Sequence, residues 1–183
     1  MWKILIIIGT TLAGVFAVSR RAISATNTGG AFMTGINNKD IPGTPFEALF
    51  REFGGRYGVD WRLLSAIAFV ESSYNPAAIN YQDNESIGLM QILCRPDGSG
   101  GCSNTLPAIS DFAGIKKANL LIASANINIG AQLLKWNIDQ FGLSKAIAVY
   151  NAWDQRNAPD NGPFKNQSYV NKVLSKAREL GYE

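Results

Sequence analysis

Apolar residues recur at helical spacing in several stretches of this chain, and no stretch shows the apolar and polar alternation typical of a strand. The longest stretch covers about residues 119–141 and stops at Gly142, a residue that favours helix termination. A second covers about residues 60–73, where Asp60 can cap the start and Pro76 prevents continuation. The spacing therefore predicts a mainly α fold.

The sequence also contains signals for the starts of three further helices. Residues 44–47 combine a capping threonine, a proline at the first helical position and a glutamate in the first turn. Ser144 and Ser168 precede two shorter apolar runs, the second of which ends at Gly181. We expect loops at residues 76–86, 94–106 and 153–167.

The start of the chain differs in composition from the rest. Residues 4–18 are uncharged and mostly apolar, with basic residues on both sides. Residues 22–43 are rich in small and polar types, so they cannot bury much surface and are typical of a tether. We expect a hydrophobic anchor or signal segment at 1–21, a flexible linker at 22–43 and one folded domain at 44–183.

The hydrophobic segment is short for a membrane span. Its fifteen residues would form a helix of about 22 Å, against about 30 Å of hydrocarbon, so a span also needs the first two residues and extended basic ends. A cleavable signal carries its positive charge before the apolar run, whereas Arg20 and Arg21 lie behind it. This favours an uncleaved anchor over a cleaved signal, and one short segment leaves its orientation open.

Charge is balanced over the expected domain. The net charge of +3 arises before residue 45, where four basic residues face Asp40 alone. Subtracting these from 17 basic and 14 acidic residues leaves 13 of each in residues 45–183. A nucleic-acid-binding domain concentrates Lys and Arg on its own surface, so we expect no nucleic-acid partner.

The chain contains no histidine. Its absence removes Ser-His-Asp triads, Cys-His nucleophile pairs and almost every catalytic zinc arrangement. The chemistry must therefore depend on carboxylates, hydroxyls and amides, and we expect neither a metal nor an organic cofactor.

Cys94 and Cys102 enclose a stretch rich in turn-forming residues, which favours a disulfide between them. Such a bond would persist only in an oxidising compartment such as a periplasm. Two unrelated free thiols in a cytosolic protein are the alternative. Neither cysteine has a histidine to activate it, which argues against a catalytic thiol.

Glu71 is the candidate catalytic carboxyl group. It lies one turn after Ile67 and two turns after Leu64, so it continues the inward-facing stripe of its predicted helix. Apolar neighbours and the negative end of the helix dipole both disfavour its ionised form, which predicts a raised pKa suited to a general acid. A glutamate that caps a neighbouring helix or pairs with an internal arginine would fit the same position without catalysis.

Four motifs, in this order, resemble the lysozyme-like catalytic domain of lytic transglycosylases. They are Glu-Ser-x-aromatic-Asn-Pro at 71–76, Ser-x-Gly-Leu-Met-Gln at 86–91, Asn-Ile-x-x-Gly at 126–130, and Tyr150-Asn151. The likeness covers most of residues 45–175. It implies a helical domain with a groove for peptidoglycan, in which Glu71 is the one catalytic carboxyl group.

The resemblance gives the 86–91 segment a role in binding sugar. Ser86 and Gln91 are suited to hydrogen-bond sugar hydroxyl and acetamido groups. Gly88 lets the backbone approach the ligand, and Met90 offers an apolar contact. Taken singly, these residues are equally typical of a helix cap, a turn and core packing, while residues 126–130 are expected to serve packing alone.

Aromatic residues late in the chain are implied to line the same groove. Tyr150 is expected near the catalytic carboxyl group with Asn151 beside it, and Tyr169 fits a late aromatic position that walls the groove. Trp153 stands where the family has a glycine. Its indole either extends the groove by stacking on a sugar or fills a structural gap.

In enzymes of this family the glutamic acid protonates the oxygen between N-acetylmuramic acid and N-acetylglucosamine, and the substrate's own N-acetyl group shields the cationic centre. The ionised glutamate then takes the proton of the muramic 6-hydroxyl, whose oxygen closes a 1,6-anhydro ring. Most glycosidases use two carboxylates instead. Asp83 and Glu85 are the nearby candidates for a second one, and their predicted loop favours solvated side chains.

The implied function is that of a peptidoglycan lytic transglycosylase. A lysozyme-type muramidase, in which water replaces the 6-hydroxyl, and a non-catalytic wall-binding or assembly subunit are the alternatives. The expected partners are glycan strands, the membrane through residues 1–21, and a secretion, conjugation or phage-entry machine. The expected location is the membrane, facing the periplasm and cell wall, with a phage virion as the alternative.

Overall fold

The computed structural model describes residues 44–82, 85–95, 97–102 and 115–183. The anchor and linker predicted for residues 1–43, and Asp83, lie outside the described residues. The described α-helices are α1 Glu47–Tyr57, α2 Trp61–Ser72, α3 Ala123–Phe141, α4 Leu143–Asn151 and α5 Gln167–Glu179. The mainly α fold class is confirmed. None of the helices in the described ranges is long and apolar enough to cross a bilayer.

The starts of the first two helices show different capping. α1 begins at Glu47 because Phe46 adopts a left-handed conformation with φ 63°, and no described side chain caps it. Thr44 contributes only its carbonyl oxygen, which accepts from the Glu47 N–H at 3.2 Å, so the capping box predicted at 44–47 is wrong. Asp60 does cap α2, since its carboxylate accepts from the Arg62 N–H at 2.8 Å.

The long helix predicted for 119–141 is two separate pieces. A 3-10 helix covers Lys117–Leu121, Ile122 is extended, and α3 begins at Ala123. Gly142, with φ 72°, ends α3 as predicted. α4 begins at Leu143 directly after this glycine.

The serine caps predicted for the last two α-helices are wrong. Ser144 lies inside the first turn of α4, which begins at Leu143. Ser168 lies inside the first turn of α5, which begins at Gln167. The predicted 153–167 loop contains a second short 3-10 helix, Trp153–Asn157. The residue before α5 is Asn166, whose side chain serves the site described below.

The chain also forms a small antiparallel sheet that the sequence pattern did not indicate. Its strands are β1 Ile79–Asn80, β2 Ser86–Ile87 and β3 Ile92–Leu93, in that order. Ser86 pairs with Asn80 on one side and with Leu93 on the other. Strands of two residues are too short to show an alternating pattern, which is why no alternation appears in the sequence at these positions.

Cys94 and Cys102 are joined by a disulfide directly after this sheet. The closed loop lies beside the start of the first 3-10 helix. Cys102 donates its N–H to the Ile115 carbonyl at 3.2 Å, and Lys117 donates its N–H to the Gly100 carbonyl at 3.1 Å. The loop is thus attached to the chain segment that leads into α3.

One hydrophobic core joins these elements, because α2 packs against α5 and α3 against α4. Its largest fully buried side chains come from the helices, from β2 and the turn after it, and from the 3-10 helix: Phe50, Leu64, Ile67, Ile87, Leu89, Met90, Leu120, Ile127, Ile129, Leu134 and Ile147. This packing brings the end of α2, the 86–91 segment, the end of α4 and the start of α5 to one place.

Candidate active site

Glu71 lies in the last turn of α2 and is partly buried. The Tyr169 hydroxyl, from the first turn of α5, donates a hydrogen bond to Glu71 Oε1 at 2.5 Å. These two residues are 98 positions apart in the sequence, so only the packing of α5 on α2 brings them together. A hydroxyl that donates to a carboxylate orients it and stabilises its ionised form.

Tyr150 approaches the same carboxylate from the end of α4. Its hydroxyl donates to the Met90 carbonyl at 2.9 Å. Burial raises the pKa of Tyr150 well above its ordinary value of 10.0, and the negative charge of Glu71 raises it further. Burial, followed by the charge and the hydrogen bond of Glu71, likewise raises the pKa of Tyr169. Both phenols are therefore neutral hydrogen-bond donors at physiological pH.

Ser72 ties the end of α2 to the 86–91 segment. Its hydroxyl donates to the Leu89 carbonyl at 2.7 Å and also accepts from the Asn75 N–H at 3.1 Å. The residue directly after Glu71 therefore fixes the distance between the helix end and this segment. Sequence reasoning assigned Ser72 no role of its own.

Ser86 and Gln91 stand at the two ends of the 86–91 segment. Ser86 is the buried first residue of β2, with 7% of its surface exposed. Gln91 adopts a left-handed conformation with φ 47°, and its side-chain nitrogen donates to the Gly88 carbonyl at 2.9 Å. In this arrangement the Gln91 amide nitrogen stabilises the turn that contains Gln91. The role of Gln91 in sugar binding stays a prediction.

Met90 lies in the core, and the predicted contact of its side chain with substrate is wrong for this structure. Its side chain is fully buried. A Cβ atom added to Gly130 of α3 would lie 2.4 Å from Met90 Sδ, so the thioether fills the space that this glycine leaves. Only the Met90 backbone serves the site, through the carbonyl bonded to Tyr150.

Asn126 on α3 is the residue that sequence reasoning most undervalued. It is fully buried, and its Oδ1 accepts from the Met90 N–H at 2.7 Å. Its Nδ2 donates to the Ile87 carbonyl at 2.7 Å and to the Leu120 carbonyl at 2.9 Å. The Asn-Ile-x-x-Gly motif was the available signal, but packing alone had been expected of it.

Asn151 is exposed at the end of α4, and its Oδ1 accepts from Asn166 Nδ2 at 3.0 Å. The same Asn166 nitrogen donates to the Ala148 carbonyl at 2.9 Å. Asn166, which carried no sequence signal, thus joins the end of α4 to the start of α5, the two elements that supply Tyr150 and Tyr169.

Trp153 is 47% exposed, and its ring is engaged by two neighbours. Trp136 of α3 stacks on it with ring centroids 5.9 Å apart, and the Arg156 guanidinium lies 5.0 Å from its ring centre. These contacts favour the structural interpretation of Trp153 over an open platform for sugar.

Of the two candidate second carboxylates, the structure describes only Glu85. Glu85 pairs with Lys117, with Nζ and Oε2 2.5 Å apart. Asp83 lies outside the described residues. Over the residues that the structure describes, no group of three or more His, Cys, Asp or Glu side chains is placed to hold a metal ion.

Residues 48–172 match the family model of the transglycosylase SLT domain. The chain belongs to this family. The match includes Glu71, the 86–91 segment, Tyr150 and Tyr169, and so covers every residue placed in the site above.

Curated relatives carry corresponding names. Membrane-bound lytic murein transglycosylase C of Glaesserella parasuis is 31% identical over 125 residues, which are 64% of this chain and 32% of that protein. Membrane-bound lytic murein transglycosylase F of Stutzerimonas stutzeri is 35% identical over 69 residues, which are 38% of this chain and 14% of that protein. The chain thus spans about a third or less of the length of these relatives.

Solved structures share the fold of this SLT domain. An inactive glutamate-to-glutamine mutant of the lytic transglycosylase Slt from Pseudomonas aeruginosa aligns with a TM-score of 0.57 and 22% identity, over 75% of this chain and 25% of that one. The 70 kDa soluble lytic transglycosylase of Escherichia coli aligns with a TM-score of 0.54 and 25% identity, over 72% and 23%. The lysozyme-like helical fold class is thereby confirmed.

Proposed function

We propose that this protein is a peptidoglycan lytic transglycosylase. It cleaves the bond between N-acetylmuramic acid and N-acetylglucosamine and leaves a 1,6-anhydro end on the muramic acid. The observation that carries this proposal is the partly buried Glu71 held by the Tyr169 hydroxyl inside an SLT domain. The names of the relatives, and the inactive glutamate mutant of the Pseudomonas aeruginosa enzyme, support it.

Glu71 acts first as an acid and then as a base. In its protonated form it gives its proton to the glycosidic oxygen as that bond breaks. The carboxylate that remains is stabilised by the Tyr169 hydroxyl at Oε1, which leaves it ready to accept the proton of the muramic 6-hydroxyl. That oxygen then bonds to the muramic anomeric carbon, so Glu71 regains its proton and no water is consumed.

The two tyrosines do not compete with Glu71 in this proton transfer. Because Tyr150 and Tyr169 both have raised pKa values, neither supplies a competing acid or a second negative charge near Glu71 at neutral pH. The Tyr150 hydroxyl also donates to the Met90 carbonyl, and so fixes the position of the 86–91 segment relative to Glu71. Ser86, Gln91 and Asn151 are the proposed polar contacts to the sugars around the cleaved bond.

The proposed setting is the cell envelope. The membrane-bound names of the relatives are consistent with a membrane anchor at residues 1–21 and a domain that faces the cell wall. A secretion, conjugation or phage-entry machine is the proposed context for local wall opening. Recovery of the full chain from the soluble fraction of its source cells or particles would contradict the anchor.

The experiment is mass spectrometry of the fragments that the full chain, in mild detergent, releases from purified peptidoglycan. We expect muropeptides with anhydro ends, which are lighter than the hydrolysed fragments by one water molecule. Glu71→Gln keeps the shape of the side chain but lacks the acid, and should release none. Glu52→Gln is the matched control, because Glu52 is exposed on α1 in a surface pair with Arg56.

Each other outcome identifies a different function. Reducing ends in place of anhydro ends would show a muramidase. Binding to peptidoglycan without release of fragments would show a wall-binding or assembly subunit. Equal release by Glu71→Gln would remove Glu71 from the mechanism.

A further inference from the structure

Tyr81 is a large side chain that the fold leaves on the surface. It is 71% exposed, more than any of the other exposed large apolar residues in the described ranges. It directly follows β1 and lies in a turn. An exposed aromatic ring at a fixed position is available to a ligand, whereas a ring packed for stability would be covered.

Two charged residues lie on one side of this ring and pair with each other. Lys117 Nζ lies 6.0 Å from the ring centre, within the range of a cation–π contact. The same ammonium pairs with Glu85 Oε2 at 2.5 Å, and the Lys117 backbone is bonded to the loop closed by the disulfide. Tyr81, Glu85 and Lys117 thus form a group of neighbouring side chains, which we name the hairpin cluster.

The hairpin cluster is attached to the 86–91 segment. Asn80, next to Tyr81, pairs with Ser86 across β1 and β2. One residue before β1, the Ala78 carbonyl accepts from the Gly88 N–H at 2.7 Å. The strand directly before Tyr81 therefore lies beside the segment proposed to bind sugar.

We propose that Tyr81 is a stacking platform for a sugar of the glycan strand, away from the bond that is cleaved, and that Lys117 and Glu85 position its ring. This inference rests on the proposed function. One face of a pyranose ring presents C–H bonds with slight positive character, and the face of a phenol ring is slightly negative, so the two attract. A glycan strand is long enough to place further sugars beyond the site at Glu71.

Trp153 and Tyr81 differ in the groups that already contact their aromatic rings. The indole of Trp153 is stacked on Trp136 and has a guanidinium beside it. The ring of Tyr81 has one ammonium at the outer limit of contact and is otherwise mostly open. A sugar reaches Tyr81 without displacing an aromatic neighbour, which is why the platform is assigned there.

A platform away from the reacting atoms contributes equally to binding of the substrate and of the transition state. Its loss should therefore raise KM and leave kcat nearly unchanged. We expect Tyr81→Ala to raise KM on long, soluble glycan strands by about three- to tenfold. Tyr81→Phe keeps the ring and should behave as the wild type. Lys117→Ala should give a smaller rise in KM, and Lys117→Arg, which keeps the cation, should restore the wild-type value.

Binding measured without turnover separates this inference from the proposed function. Calorimetry with the same strands on the full chain carrying Glu71→Gln should give a Kd that rises about three- to tenfold when Tyr81→Ala is added. Ile122→Ala, which removes another exposed apolar side chain, should leave Kd unchanged. A wild-type protein that binds strands but never cleaves them would contradict only the proposed function.

Three results would overturn the platform. Tyr81→Ala could leave both KM and Kd unchanged, Tyr81→Phe could lose as much binding as Tyr81→Ala, or Ile122→Ala could lose as much as either. The first would show no contact, the second a role for the hydroxyl alone, and the third a general effect of surface apolar groups.

Discussion

Asn126 is fully buried, and its amide bonds the backbone at Ile87, Met90 and Leu120. An aspartate at this position has the same shape but cannot donate to the two carbonyl oxygens. The isosteric Asn126→Asp should therefore lower the free energy of unfolding by about 3–5 kcal/mol, because it leaves a buried charge without a partner. Urea unfolding at neutral pH measures this loss.

Asn128, two residues further along α3, supplies the matched control. Its Oδ1 accepts from the Tyr57 hydroxyl at 2.6 Å, and an aspartate oxygen accepts equally well. Asn128 is also only half-buried, so water can solvate the new charge, and Asn128→Asp should cost less than about 1.5 kcal/mol. Equal losses at the two positions would mean that the Asn126 amide does not hold the 86–91 segment.

Tyr169 offers a test of the contact to the catalytic acid. Tyr169→Phe removes the hydroxyl that donates to Glu71 Oε1 and leaves the ring in place. A hydrogen bond to a charged group contributes about 1.5–3 kcal/mol, so kcat should fall about ten- to a hundredfold. Release of anhydro-muropeptides over time measures kcat.

The alkaline limb of the Tyr169→Phe pH profile should move to higher pH, because Glu71 must be protonated to act as the acid and its ionised form has lost a stabilising donor. Tyr57→Phe is the control, since it removes a hydroxyl bonded to Asn128, away from Glu71. Wild-type kcat in Tyr169→Phe would contradict the proposed role of this hydroxyl.

The turn at Gly88 depends on a glycine for two separate reasons. Its φ of 79° is unfavourable for other residues, and an added Cβ would lie 2.3 Å from Asn126 Nδ2 and from the Leu120 carbonyl. Gly98 has a similar φ of 81°, but its Cβ would meet nothing within 4 Å. Gly98→Ala should cost about 1 kcal/mol and Gly88→Ala roughly 3 kcal/mol or more. Thermal unfolding of both variants tests this, and equal losses would rule out the steric term.

Helices were predictable as elements, but their ends were predictable only where a side chain decides them. Asp60 caps α2 as its sequence position indicates. α4 instead begins directly after Gly142, whose φ is 72°, and α5 begins directly after Asn166. Ser144 and Ser168 therefore lie inside the first turns of α4 and α5 and do not cap these helices. The β1–β3 sheet depends on pairing between segments, which a local pattern of two residues does not express.

At the scale of the whole molecule, the sequence indicated which residues belong to the candidate site better than it indicated which of them contact each other. Glu71 and Tyr150 stand in motifs, and their helices could be placed from apolar spacing. The bond from Tyr169 to Glu71 spans 98 positions and exists only because α5 packs on α2. Met90 was misplaced because its neighbour Gly130 is visible only in the packed core.

The same convergence of helices predicts how the stability of the molecule depends on pH. Burial and the charge of Glu71 raise the pKa of Tyr150 and of Tyr169 above 10.0 in the folded protein. Below about pH 10 both phenols are protonated in either state, so they do not change the free energy of unfolding with pH. Above it the unfolded chain releases protons that the folded chain retains. The free energy of unfolding should then fall by up to about 1.4 kcal/mol per pH unit for each tyrosine.

Urea unfolding between about pH 8 and about pH 11.5 measures this slope. The double variant Tyr150→Phe and Tyr169→Phe should lose most of it, whereas Tyr57→Phe should keep it. Glu71→Gln should make the slope smaller, since the Glu71 charge is one of the causes that raise both pKa values. A slope that Glu71→Gln leaves unchanged would mean that burial alone sets the two values, and that the carboxylate and the phenols do not form one electrostatic group.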